Sequence, residues 1–189
     1  MEAFLTSATV VALAEIGDKT MLLAIVLAAR FRRPWPVVWG ILFATLANHF
    51  LAALLGATIA GVLDGVWFRY AVAAGFVAMG LWTLIPDKLD EDEEPKGRGG
   101  AFLTTLIAFF LVEIGDKTQI ATIALGARFD ATLAVTAGTT LGMMIANVPA
   151  VFAGDALTRR VSLKAIRIVA AVLFVAIGLL LAAQTARWI

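Results

Sequence analysis

The sequence predicts an all-α polytopic membrane protein of six transmembrane helices, built as two inverted-topology three-helix repeats. Three observations predict it. Of the 189 residues, 61% are hydrophobic and 15% charged, against ~45–50% and ~25% in an ordinary soluble domain, and the mean hydropathy is +0.94. So much apolar surface exceeds what one soluble core can hide, and the solvent is therefore lipid. The apolar residues also gather into six stretches of at least the ~20 residues a helix needs to cross a bilayer. Finally, the chain repeats itself. Glu15 to Phe31 (EIGDKTMLLAIVLAARF) and Glu113 to Phe129 (EIGDKTQIATIALGARF) are identical at 11 of 17 positions, at an offset of 98.

The six expected spans run over Ala3–Ala29, Trp35–Val62, Val66–Ile85, Ala101–Ala127, Ala131–Gly154 and Ala165–Ala186, separated by short polar or Pro-bearing breaks such as Arg30-Phe31-Arg32-Arg33-Pro34. The first span opens on Glu2 in place of a basic segment and carries Glu15, Asp18 and Lys19 in its middle. It is read as a retained span and not as a cleavable signal peptide. The second and third spans complete a first repeat over residues 1–86, an acidic linker follows at 87–100, and the second repeat fills 101–189. The offset of 98 also aligns Arg69–Gly80 with Arg167–Gly178. Because each unit holds an odd number of spans, the second copy enters the membrane from the opposite face, the plan used by secondary transporters with a midplane site.

Charge sets the expected orientation. The first, third and fifth connections hold ten basic residues and the opposite side three, Arg69, Arg128 and Arg187. The positive-inside rule then puts both termini outside the cytoplasm. Trp35, Trp39, Trp67, Trp82 and Trp188 fall near span ends, where amphipathic rings anchor at the interface. The linker reads as a solvated connection facing the cytoplasm, with a weak lure for divalent cations as the sharper alternative. A net charge of +1 offers no field for a polyanion, so no nucleic-acid partner is expected. Zero Cys excludes disulfides, thiol catalysis and thiolate metal sites.

Both copies of the hexapeptide EIGDKT fall at mid-membrane depth, the costliest place for charge. Six ionised groups there cost roughly 15–20 kcal/mol before pairing, which points to use. On a continuous helix, Glu15, Asp18 and Lys19 share one face, and so do Glu113, Asp116 and Lys117. Gly17 and Gly115 either let a neighbour approach closely or let the helix open and release backbone carbonyls. An inverted repeat brings Glu15, Asp18, Glu113 and Asp116 together, with Lys19 and Lys117 as supporting charge. The net of −2 matches one hard divalent cation such as Ca²⁺, Mg²⁺ or Mn²⁺. Protons and cation then compete for the same carboxylates, which is a mechanism for exchange. The bland reading is a self-neutralising Glu15–Lys19 pair.

Asn48 and Asn147 lie at near-corresponding places if one residue of shift is allowed, and serve as neutral oxygen ligands or as interhelical hydrogen bonds. Thr20 and Thr118 ligate or bond back to their own helix. Gln119 lies on the face of Asp116, though its counterpart is Met21. His49 reads as a packed or pore-lining polar residue, and Pro149 as a bend. No phosphate cradle, nucleophile elbow or HExxH is present, so an enzyme is not expected.

Two copies of E-x-G-D-(K/R)-(S/T) on the first and fourth spans, with an acidic loop between them, resemble the cation/proton antiporter family of the Golgi manganese/calcium transporters and bacterial manganese exporters. The resemblance covers essentially the whole chain. Its motif falls on Glu15, Gly17, Asp18, Lys19, Thr20 and on Glu113, Gly115, Asp116, Lys117, Thr118. It implies export of Mn²⁺, with Ca²⁺ as an alternative or second substrate, in exchange for protons, and fits a prokaryotic inner-membrane protein. Six short spans can enclose one small-ion site, so a monomer or a dimer is expected, with no tightly bound cofactor. The competing reading is an exporter of a small organic solute such as an amino acid.

Overall fold

The computed structural model describes residues 1–63, 65–85, 100–153 and 162–186. Among them are eight helices: α1 (Glu2–Glu15), α2 (Lys19–Phe31), α3 (Pro34–Val62), α4 (Val66–Thr83), α5 (Ala101–Val112), α6 (Lys117–Phe129), α7 (Thr132–Ala153) and α8 (Leu163–Thr185). The α3, α4, α7 and α8 helices are long and apolar enough to cross a membrane. Their bounds agree with the expected second, third, fifth and sixth spans to within two residues. The linker at 87–99, the basic pair Arg159 and Arg160, and Trp188 lie outside the described residues.

The expected first and fourth spans are the correction. Neither Ala3–Ala29 nor Ala101–Ala127 is one helix, because each breaks at its hexapeptide. The cause is local. Ile16 has φ −66° and ψ 109°, Gly17 has φ 87°, and the Asp18 N–H donates 3.0 Å to the Glu15 carbonyl. These are the angles and the bond of a type II turn, whose third residue needs positive φ and so favours glycine. Gly115 repeats it with φ 78° and an Asp116 N–H bond of 3.1 Å to the Glu113 carbonyl. Asp then suits the N-cap of the next helix, and Asp18 and Asp116 occupy those positions on α2 and α6. The shared-face argument for a continuous helix therefore fails. Of the two roles foreseen for the glycines, opening the helix is the one adopted.

The halves interlock. A methyl group added at Gly40 of α3 would stand 2.7 Å from Thr105 Cβ of α5, and Gly138 of α7 meets Phe4 and Ser7 of α1 in the same way, every residue shifted by 98. Gly80 of α4 abuts Ala171, Phe174 and Val175 of α8, while Gly178 of α8 abuts Ala73, Phe76 and Val77 of α4. Small residues at such crossings let backbones approach, as membrane helices require where no hydrophobic force separates helix from lipid. Contacts advance together along α3 and its neighbours. Gly40 meets α5, and Gly56 meets Ile123 and Ala127 of α6. The α5 and α6 helices thus run in succession beside α3 and in its direction. Likewise Gly138 and Gly142 of α7 meet first Phe4 and Ser7, then Ala8 and Ala12, of α1.

Polarity is distributed inside out. Glu15, Asp18, Glu113, Asp116, Lys117, Asn48, His49 and Asn147 are buried, whereas Trp67, Leu133, Val172 and Leu179 are exposed. Only an apolar solvent makes that arrangement favourable. Trp35, Trp39, Trp67 and Trp82 are all exposed, the first three near helix starts and the fourth near the end of α4.

Candidate metal centre

The two helix breaks meet. Glu15 ends α1, Asp18 caps α2 and Asp116 caps α6. One carboxylate oxygen from each lies within 4.8 Å of the other two, and all three residues are buried. The positive ends of two helices therefore converge with three carboxylates, which offsets part of their repulsion. Lys19 of the first motif reaches Asp116 of the second, Nζ to Oδ1 3.8 Å. With all three carboxylates ionised, the triad and Lys19 carry a formal −2, the charge one divalent cation neutralises.

Hydroxyls orient the triad. Thr20 Oγ1 donates to Glu15 Oε2, and Thr118 Oγ1 donates 3.1 Å to Asp116 Oδ2. The Lys19 N–H donates 2.9 Å to Asp18 Oδ1. Glu15 Oε1 is left buried with no hydrogen-bond partner. Asn147 is a further polar neighbour of Glu15. Its amide nitrogen is engaged by Met143 O at 3.1 Å and Met143 Sδ at 2.8 Å, which leaves Oδ1 buried and open.

Glu113 stands apart from the triad. Thr45 Oγ1 donates 3.1 Å to its Oε1, and its Oε2 lies 3.9 Å from His49 Nε2. It remains within electrostatic reach of Glu15 and Asp116. Lys117 also departs from its counterpart, donating 3.2 Å to the Ile85 carbonyl and lying over the Trp82 ring at 5.8 Å. The four carboxylates expected together are thus three and one, and the two lysines do different work.

Asn48 and Gln119 serve the second break. Gly115 N–H donates 2.8 Å to Gln119 Oε1, Gln119 Nε2 donates 3.1 Å to Asn48 Oδ1, and Asn48 Nδ2 donates 2.9 Å to the Phe110 carbonyl. The break deprives that carbonyl of its helical donor, since Ile114 N–H turns to Leu111 instead. These two amides are engaged in bracing the turn. The glycine crossings hold the offset at 98 through α3, so Asn147 corresponds to His49 and Asn48 to Ala146, without the one-residue shift. Sequence reading passed over Thr45 and underrated His49; the unshifted offset was the signal for the latter. A cavity of about 560 Å³ between the ends of α3, α4, α6 and α8 is lined by Arg69, Arg128 and Asp130 and by none of the motif carboxylates.

The family model described as "Divalent cation/proton antiporter GDT1" matches residues 3–91 and 101–188. A Vibrio cholerae protein named "Putative manganese exporter" is 49% identical over 180 residues, 95% of this chain and 90% of that one. A GDT1-like protein of Synechocystis is 31% identical over 92% of this chain and 93% of its own length, and GDT1-like protein 5 of Arabidopsis thaliana is 28% identical over 95% and 94%. No solved structure matches the chain. With two blocks of the family model spanning both repeats, the chain belongs to the GDT1 family of divalent cation/proton antiporters.

Proposed function

We propose that this chain exports Mn²⁺, with Ca²⁺ as an alternative cargo, in exchange for protons, and that Glu15, Asp18 and Asp116 hold the ion in transit. The observation that carries the reading is the buried triad, assembled from both motifs at the junction of two broken helices. Oxygens on opposite sides of a hard cation with ~2.3 Å bonds stand ~4.6 Å apart, which matches ligand atoms lying within 4.8 Å of one another. Asn147 is a polar neighbour of Glu15, and its Oδ1 is a buried neutral oxygen with no hydrogen-bond partner. Three carboxylates so close take up protons when the ion leaves and release them when it returns, so one site couples the two flows.

In this reading α1 with α2, and α5 with α6, each cross as one broken span, giving six crossings in two inverted repeats divided by the 87–100 linker. The parallel course of α5–α6 beside the span α3, and of α1 beside the span α7, supports it. Broken helices that meet at midplane are a recurrent plan for such sites. The basic connections then face the cytoplasm of a prokaryotic cell and both termini face outward.

Flux into proteoliposomes under an imposed pH gradient tests the proposal. Mn²⁺ moves with the wild-type protein, and Glu15→Gln and Asp116→Asn each lower the rate by more than about a hundred-fold, as expected when a ligand is removed at the point of transfer. Mn²⁺ flux that persists in both variants removes the triad as the ion's site, and a folded wild type that moves neither Mn²⁺ nor Ca²⁺ removes the cargo and favours an organic solute.

A further inference from the structure

Glu15 and Glu113 hold matching places in the repeat, yet the side chains around them differ in kind. Glu15 belongs to an all-oxygen group with Asp18 and Asp116. Glu113 faces an imidazole. His49 is fully buried on α3, and neither of its ring nitrogens has a hydrogen-bond partner, nor has Glu113 Oε2. Buried polar atoms left open in this way are costly, and each calls for a cause. The 3.9 Å between His49 Nε2 and Glu113 Oε2 is too long for a hydrogen bond. It is a separation that two ligands adopt around a shared ion, each ~2.0–2.2 Å from it. Thr45 holds the other oxygen, Oε1, and so turns Oε2 toward the ring; such an outer partner fixes a ligand's orientation.

We propose that Glu113 and His49 form a second ion station, distinct from the triad, that favours a first-row transition metal over Ca²⁺. The proposal rests on the reading that the cargo is a divalent cation. An imidazole nitrogen binds first-row divalent metals with a strength that rises from Mn²⁺, the weakest, to Cu²⁺, whereas Ca²⁺ and Mg²⁺ take oxygen. The triad accepts either class; only the transition metal gains from moving on to His49. The repeat makes the station one-sided, because the residue that corresponds to His49 is Asn147, an amide. Selectivity thus arises where the two halves stopped matching.

His49 is the only histidine of the sequence, so an imidazole signal on bound metal reports it alone. Detergent-purified protein without a polyhistidine tag, given two equivalents of Mn²⁺, shows ¹⁴N modulation in electron spin-echo spectra, and His49→Asn, which copies Asn147, lacks it. In proteoliposomes the same variant loses about ten-fold or more of its Mn²⁺ flux while Ca²⁺ flux stays within about two-fold. His49→Gln serves as the second variant should His49→Asn fail to fold, and the wild-type spectrum needs neither. Absence of nitrogen modulation in the wild type, or an equal loss of Mn²⁺ and Ca²⁺ flux in the variant, overturns the second station. Nitrogen modulation in a wild type that transports neither metal upholds the station and overturns the transport reading alone.

Discussion

The two copies of EIGDKT are identical in sequence and form the same turn, but they sit in different surroundings. At the first copy, Glu15 and Asp18 are buried with Asp116, and Lys19 reaches across to the second motif. At the second, Glu113 faces His49, Lys117 turns to the Ile85 carbonyl, and Ile114 and Gly115 are exposed. The turn there is held by a chain of amide bonds through Gln119 and Asn48. The first copy has Met21 where the second has Gln119, and the residue that corresponds to Asn48 is Ala146. Identical motifs therefore share a backbone, and the residues packed against them decide what each carboxylate does.

That contrast can be broken at graded cost. The largest loss is expected from Asn48→Ala, which orphans the Phe110 carbonyl and frees Gln119 at once. Unfolding in mixed detergent–SDS micelles should record a loss of about 2–3 kcal/mol, and a loss under about 0.5 kcal/mol would mean that the carbonyl has another partner. Gly115→Ala comes next. Nothing lies within 4 Å of the added methyl group, so the cost is that of positive φ alone, about 1–2 kcal/mol in the same assay. A neutral result there would show that the second turn can adopt another shape. The smallest effect belongs to Gln119→Met, which copies Met21 into the second half. It removes two partly exposed bonds and should cost about 1 kcal/mol; if Mn²⁺ flux also collapses, Gln119 touches the ion and is more than a brace.

Much of the site was legible beforehand. The doubled motif singled out Glu15, Asp18 and Asp116, which the fold brings together, and Thr20, Thr118 and Asn147, which lie beside them. The division of Glu113 from the other three was not legible, because it follows from which residues of α3 and α7 face each break. Asn48 and Asn147 each neighbour one motif glutamate, Glu113 and Glu15, although the packing of Gly40 and Gly138 keeps the backbone offset at 98 and sets Asn147 against His49. The helix breaks had a visible cue in the glycine of each motif. Hydropathy could not reveal them, since it counts apolar residues along a stretch and is blind to one turn within it.

By itself, the amino-acid sequence determined the solvent, the duplication and the residue types of the candidate site, because composition, periodicity and residue type are properties of the chain before it folds. Tertiary structure alone decided which charges meet. Lys19 pairs with Asp116, 97 positions along, and Thr45 bonds Glu113, 68 positions along. Such partners are selected by how interlocked helices pack, and no local rule in the sequence specifies them.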